Sequence, residues 1–171
     1  MNKIRLGNLQ LKTFTEQDAL DYCQINSINP DNITELFLHK NKLTDISGIR
    51  LFKNVKELWL DNNELTDISA LKDLNRLQYL KISLNKISDI SDIKYLSKLK
   101  KLFLNLTDIK NISIISNLKN LEYLNIDYLW LKSDQIQYIN SCKNLKELYC
   151  YNEFKNMSIK EKINKNIIIK Y

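Results

Sequence analysis

An α/β repeat solenoid is the fold class this chain predicts, and three observations carry the prediction. The first is a period: lines begun at Ile33, Val55, Leu77, Leu99 and Leu121 align the chain at 22 residues. The second is the frame inside each line, LxxLxLxxNxL, which recurs four times in succession with Thr107 in place of the asparagine in the fourth. The third is composition. Across 171 residues, 44% are hydrophobic and 27% charged, while Gly7, Gly48 and Pro30 are the only glycines and proline. Such a chain is long enough for one globular domain and has no room for glycine-rich phosphate loops or flexible linkers.

The frame can be read residue by residue. Its first line is Ile33, Leu36, Leu38, Asn41, Leu43, Ile46, Ile49, Phe52, and its second is Val55, Leu58, Leu60, Asn63, Leu65, Ile68, Leu71, Leu74. The third runs from Leu77 through Leu80, Ile82, Asn85 and Ile87 to Leu96. The fourth runs from Leu99 through Leu102, Leu104, Thr107 and Ile109 to Leu118. In each LxL, two apolar residues two apart point to one side of a short strand while their neighbours point to the other. One such strand cannot bury its apolar side alone, so successive turns must stack around a shared core. The remaining 11 or so residues of a turn are too few for a long helix and predict a tight 3₁₀-like or extended return. Asp45, Asp67 and Asp89, with Ser47, Ser69 and Ser91, are placed to cap those returns.

Asn41, Asn63 and Asn85 form a structural ladder in this reading. As the chain leaves each strand it bends inward and buries backbone groups that no strand partner satisfies. An inward carboxamide offers both donors and an acceptor to them. Thr107 and Leu129 replace the amide in the fourth and fifth turns, so the pattern frays toward its end.

Three segments follow: a cap over 1–32, five repeats over 33–144, and a last strand with a second cap over 145–171. In the first cap, "KIRLGNLQLK" reads either as a hairpin turning at Gly7-Asn8 or as a degenerate first turn in which Leu6, Leu9 and Leu11 spell LxxLxL. Thr15 with Asp18 then starts a helix through about Gln24. The fifth turn has 24 residues, and Ser133 followed by Ile136, Ile139 and Cys142 predicts a short helix there. "LKELYCY" supplies a sixth strand, residues 158–164 a last helix, and "IIIKY" the close. Cys142 and Cys150 fall on core positions and read as packing thiols.

These repeats resemble the 22-residue class of leucine-rich repeats found in bacterial internalins and in phosphatase-regulating proteins. The resemblance covers residues 33–152. It implies a right-handed superhelix with a concave parallel β-sheet, a convex side of short 3₁₀ or helical segments, and protein partners bound on the concave face.

Chemistry is excluded by inventory. His39 is the only histidine, and no metalloprotease, hydrolase, P-loop or dinucleotide motif is present. No catalytic residue, metal or cofactor is therefore assigned, and the chain reads as a non-enzyme. Residues 1–14 alternate polar and apolar instead of forming a signal segment, and no apolar run reaches membrane length. Three unpaired-looking cysteines fit the same cytoplasmic reading, so Asn32, Asn105, Asn111 and Asn156 are chance glycosylation triplets. Of the net charge of +6, four positive charges belong to residues 155–171. The nearly balanced body disfavours nucleic acid as a partner.

What remains is the outward side of the strands. The partner-binding candidates there are Phe37, Trp59, Tyr79, Lys81, Phe103, Tyr123, Tyr128, Tyr149 and Tyr151, aromatics set among charges of both signs. Six strands at about 4.8 Å spacing give a sheet about 24 Å wide, room for the roughly 800 Å² per partner of an ordinary interface. The leading expectation is a non-catalytic module that binds another protein there, with an inhibitor or immunity-type role as one form. The alternatives are nucleic-acid binding through the aromatics and the basic tail, and self-association into a homo-oligomer. No membrane is implied.

Overall fold

A computed structural model describes residues 2–151 and 162–170. Among them, the first leucine of each repeat's strand segment lies at the centre of a three-residue strand, and all strands join one parallel sheet in sequence order. The strands are β1 (Lys3–Arg5), β2 (Glu35–Phe37), β3 (Glu57–Trp59), β4 (Tyr79–Lys81), β5 (Lys101–Phe103), β6 (Tyr123–Asn125), β7 (Glu147–Tyr149) and β8 (Ile168–Lys170). The register is unshifted throughout, so Leu36, Leu58, Leu80, Leu102, Leu124 and Leu148 form one buried column. Their neighbours at the first and third strand positions form the outer columns. Between strands the chain returns through 3₁₀ turns at Ser47–Leu51, Ser69–Asp73, Ser91–Tyr95 and Ser113–Asn117. This is the leucine-rich solenoid the periodicity predicts.

Each 3₁₀ turn is fixed by the acidic or amide residue two positions before it. Asp45, Asp67, Asp89 and Asn111 each accept from the backbone N–H of the serine that opens the turn, at 2.7, 2.7, 2.8 and 2.8 Å. The residue in the capping position itself is a buried isoleucine, Ile46 in the first of them, which cannot bond. The TDIS phrase thus divides the work. Its aspartate holds the backbone while its isoleucine fills the core.

The amide ladder links one turn to the next. The Asn63 side chain donates to the Leu38 and Leu60 carbonyls at 3.0 and 2.9 Å and accepts from Leu43 N–H at 3.1 Å. Asn85 repeats the set one turn on, with Leu60, Ile82 and Leu65. Asn41 ties the first cap: it donates to Leu6 and Leu38 and accepts from Leu9 and Leu11 N–H. Thr107 donates to Leu104 alone at 2.7 Å and offers nothing to the turn before it. Thr107→Asn places a carboxamide within the same reach of Ile82 and Ile87 that Asn85 has of Leu60 and Leu65. It is expected to raise stability by about 1–2 kcal/mol in urea unfolding, the yield of one or two buried hydrogen bonds.

The first cap resolves the two readings of the N-terminus. β1 pairs with β2 in parallel, not as a hairpin arm. The degenerate turn also sits five residues earlier than the leucine spelling, because Ile4 and Leu6, not Leu9 and Leu11, take the inward strand positions, and Leu9 is 55% exposed. Leu9 stands where the ladder asparagine would, but its side chain is exposed and its backbone N–H donates to Asn41 of the next turn. Helix α1 (Glu16–Ile25) opens on a complete capping box between Thr15 and Asp18. Gly48 lets it dock. An added Cβ there would run into the backbone carbonyls of Phe14 and Thr15, and the Gly48 N–H donates to Phe14 at 2.8 Å.

In the long fifth turn, a 3₁₀ turn at Ser133–Gln135 leads into α2 (Ile136–Ser141). Lys132 stands at the capping position, and Ser133 lies inside the turn without the capping bond its residue type predicts. Cys23, Cys142 and Cys150 are buried thiols, and burial pushes the Cys142 thiol up to about 11. The helix expected over 158–164 falls for the most part outside the described residues, as does the end of "IIIKY".

Candidate functional site on the concave sheet

Unshifted register brings the outward residues of adjacent strands side by side, about 4.8 Å apart. Phe37, Trp59, Lys81, Phe103, Asn125 and Tyr149 form one outer column, and Glu35, Glu57, Tyr79, Lys101, Tyr123 and Glu147 the other. Neither column is aromatic throughout, yet the rings are continuous because they alternate between columns. Phe37 meets Trp59 at 5.5 Å between centroids, Trp59 meets Tyr79 at 5.7 Å, and Tyr79 meets Phe103 at 5.1 Å. Phe103 meets Tyr123 at 4.7 Å, and Tyr123 meets Tyr149 at 5.0 Å. Six rings on six consecutive strands make one band.

Charge dresses the band at its first end. The Arg5 guanidinium lies 4.5 Å above the Phe37 ring, and the Lys81 ammonium lies 4.8 Å above Trp59. Lys81 also reaches the Asp61 carboxylate at 3.4 Å, and Trp59 donates its indole N–H to Glu57 at 2.7 Å. Lys3 pairs with Glu35 at 2.8 Å. Trp59 is therefore held from several sides, a rigid aromatic in a fixed orientation. Burial raises the Tyr79 phenol to about 12, with the Glu57 and Asp61 carboxylates adding to the shift. Burial, then the neighbouring Tyr149, pushes the Tyr123 phenol up as well.

A raised phenol pKa has a consequence at high pH. The folded state holds Tyr79 neutral where the unfolded chain, with a pKa of about 10, would ionise it. The stability this supplies is complete below about pH 10 and is lost as pH rises toward 12. Urea midpoints measured between about pH 9 and pH 11 are expected to fall, and to fall less in Tyr79→Phe.

The candidate residues do not all share one environment. Phe37 is only 6% exposed, covered by Arg5, His39 and Trp59, so it supports the band from beneath instead of meeting a partner as an anchor. Trp59, Tyr79, Lys81, Phe103, Tyr123 and Tyr149 are half-buried in the band itself. Tyr128 and Tyr151 are exposed and lie outside it, on the rim where the strands end. On the other rim, Thr34, Glu35, Lys56, Glu57, Gln78, Tyr79, Lys100 and Lys101 border a depression of about 320 Å³. Reasoning from strand columns alone misses Arg5, whose contact needs the parallel β1. It also misses Leu84, Leu106 and Trp130, exposed apolar residues beside the ladder positions. The signal for Leu84 and Leu106 was the column preceding each ladder residue, which reads Lys40, Asn62, Leu84, Leu106, Tyr128, whereas Trp130 follows the ladder position held by Leu129.

Among the described residues, no group of three or more histidine, cysteine or carboxylate side chains is placed to hold a metal ion. No helix there is long and apolar enough to cross a membrane.

Comparison with known proteins decides the family. A family model described as leucine-rich repeats (2 copies) matches residues 31–73 and again 53–95. The chain is a leucine-rich-repeat protein. This leucine-rich-repeat protein is 30% identical to an internalin (inlF) from Listeria monocytogenes, over 74% of its own length and 36% of that chain, with a TM-score of 0.64. A leucine-rich-repeat protein of Leptospira interrogans aligns at 26% identity and TM-score 0.68, over 82% of this chain and 38% of that one. Internalin C2 (inlC2) from Listeria monocytogenes superposes over 98% of this chain and 69% of its own, at TM-score 0.76 and 23% identity, a likeness of fold. The chain thus spans little more than a third of two of these relatives. No curated protein matches it by sequence.

Proposed function

We propose that this leucine-rich-repeat protein is a non-catalytic module that holds one protein partner on the concave face of its sheet. The observation that carries this reading is the unbroken aromatic band from Phe37 to Tyr149 on the water-facing side of six consecutive strands. Large rings held rigid, ringed by charges of both signs, supply contact area at small entropic cost. The lack of catalysis is supported by the state of its nucleophiles. The thiols are buried, and the single imidazole is wedged between Gly7 and Trp59. We place the protein in the cytoplasm, in a blocking role of the inhibitor or immunity type.

Nucleic-acid binding fits the band less well. Bases stack on ring faces, and here Trp59 and Tyr79 already stack on each other, 13° from parallel. Arg5 and Lys81 cover the first two rings.

The test is recovery of partners from native host lysate by the wild type and by a Trp59→Ala/Phe103→Ala pair with circular dichroism unchanged. A protein held by the wild type and lost by the pair supports the concave face. Equal recovery overturns it.

A further inference from the structure

The rim where the strands end carries a second surface that the aromatic band does not include. Leu84, Leu106, Tyr128 and Trp130 are 46, 43, 38 and 66% exposed. All four have left-handed backbone, with φ of 55, 58, 63 and 57°. That region disfavours any residue with a Cβ and tolerates glycine and asparagine best. Each position therefore holds the residue type that both solvation and backbone geometry oppose. Earlier turns do not share the feature: the same corner is Lys40 and Asn62, polar and equally left-handed. The strip is local to the third, fourth and fifth repeats.

Its surroundings say what kind of contact it makes. The cations flanking it are already engaged, Lys86 with Glu64 at 3.0 Å and Lys110 with the Leu129 carbonyl at 3.2 Å. The strip itself is uncharged. Four side chains exposed to this degree offer a few hundred Å², about half of the roughly 800 Å² per partner of a standard interface. A second copy held through this strip alone falls short of a stable dimer. The strip does adjoin the candidate concave face through Tyr151, whose backbone N–H donates to the Asp127 carboxylate beside Tyr128.

We propose that this rim is a docking strip for an amphipathic α-helix of the protein partner, laid along the solenoid axis. Spacing favours that occupant. Successive corners are one repeat apart, about 4.8 Å, and successive turns of an α-helix are about 5.4 Å apart. Apolar side chains at i, i+4 and i+7 stay in step with Leu84, Leu106 and Tyr128, with a drift of only about 1 Å over the three. An extended strand, advancing about 6.6 Å per same-side residue, loses step sooner. The inference rests on the protein-binding reading above but not on the aromatic band.

The test pans the full chain against a displayed library of single amphipathic helices and, beside it, a library of unstructured peptides of equal length. The expected result is enrichment of helices with apolar residues one turn apart. Their binding should be insensitive to salt and weakened at least tenfold by Leu84→Asn/Leu106→Asn. Asparagine accepts the left-handed corner, so the double variant keeps its melting temperature. Enrichment of unstructured peptides only, or helices bound equally by the double variant, overturns the proposal. So does a concentration-dependent dimer in light scattering that the double variant abolishes. If the strip fails while the Trp59→Ala/Phe103→Ala pair still loses the partner, the rim inference falls and the concave-face reading stands.

Discussion

Asn63→Ala is expected to cost about 4 kcal/mol of stability, a large share of the 5–15 kcal/mol typical of a domain. Its carboxamide satisfies three buried backbone groups: the carbonyls of Leu38 and Leu60 and the N–H of Leu43. Alanine leaves the Leu43 N–H without a partner, at about 1–3 kcal/mol, and takes one of two amide bonds, about 1 kcal/mol each, from the Leu38 and Leu60 carbonyls, which Asn41 and Asn85 still meet. Aspartate keeps the acceptor for Leu43 but loses both donors and adds a buried charge, so Asn63→Asp should be no milder. The measurement is urea unfolding, with a lower midpoint and an unchanged slope. Amide exchange at Leu43 adds a local readout and should accelerate beyond the global change. Full retention of stability would mean that the ladder is ornamental.

Trp59→Ala is expected to weaken binding of the recovered partner at least a hundredfold while the protein stays folded. Trp59 is the most heavily held member of the band: Phe37, His39 and Tyr79 pack on it, Glu57 fixes its N–H, and Lys81 lies over its ring. Truncation removes the ring that joins Phe37 to the rest and frees Lys81 to move. Because the core column beneath, through Leu58 and Leu60, is untouched, the stability loss should stay near about 1–2 kcal/mol. Calorimetric titration against the partner reads the first effect and thermal unfolding the second. Binding unchanged in a folded variant would place the interface elsewhere. Tyr95→Ala, on the convex side and half exposed, serves as the control and should change neither.

Legibility of the fold differs along the chain for a physical reason. Where the frame repeats, each turn restates the same pairing of inward leucines and a corner amide, so a misreading of one turn is corrected by its neighbours. The strands from β2 to β7 and the 3₁₀ returns were readable on that account. At the ends the restatement stops. "KIRLGNLQLK" reads as a hairpin or as a degenerate turn spelled by Leu6, Leu9 and Leu11, and only the pairing of Ile4 with Leu36 sets the actual frame. Ser133 has the residue type of a cap but a backbone already inside a turn, which composition does not reveal.

The candidate site divides in the same way. Strand alternation alone determined which residues face water, and so named Trp59, Tyr79, Lys81, Phe103, Tyr123 and Tyr149, because side-chain direction on a strand is a property of local geometry. Whether a water-facing ring is an anchor or a covered support depends on residues remote in sequence. Arg5 lies 32 positions from Phe37 and still settles its exposure. The left-handed corners of Leu84 and Leu106 also emerge only when the turns are stacked, since each corner amide donates to the following turn, Leu84 to Asn105 and Leu106 to Asp127. Period, core and outward columns follow from the residue pattern of a single turn. Tertiary structure alone decided how those columns cover one another, because coverage arises from contacts between turns and no single turn contains them.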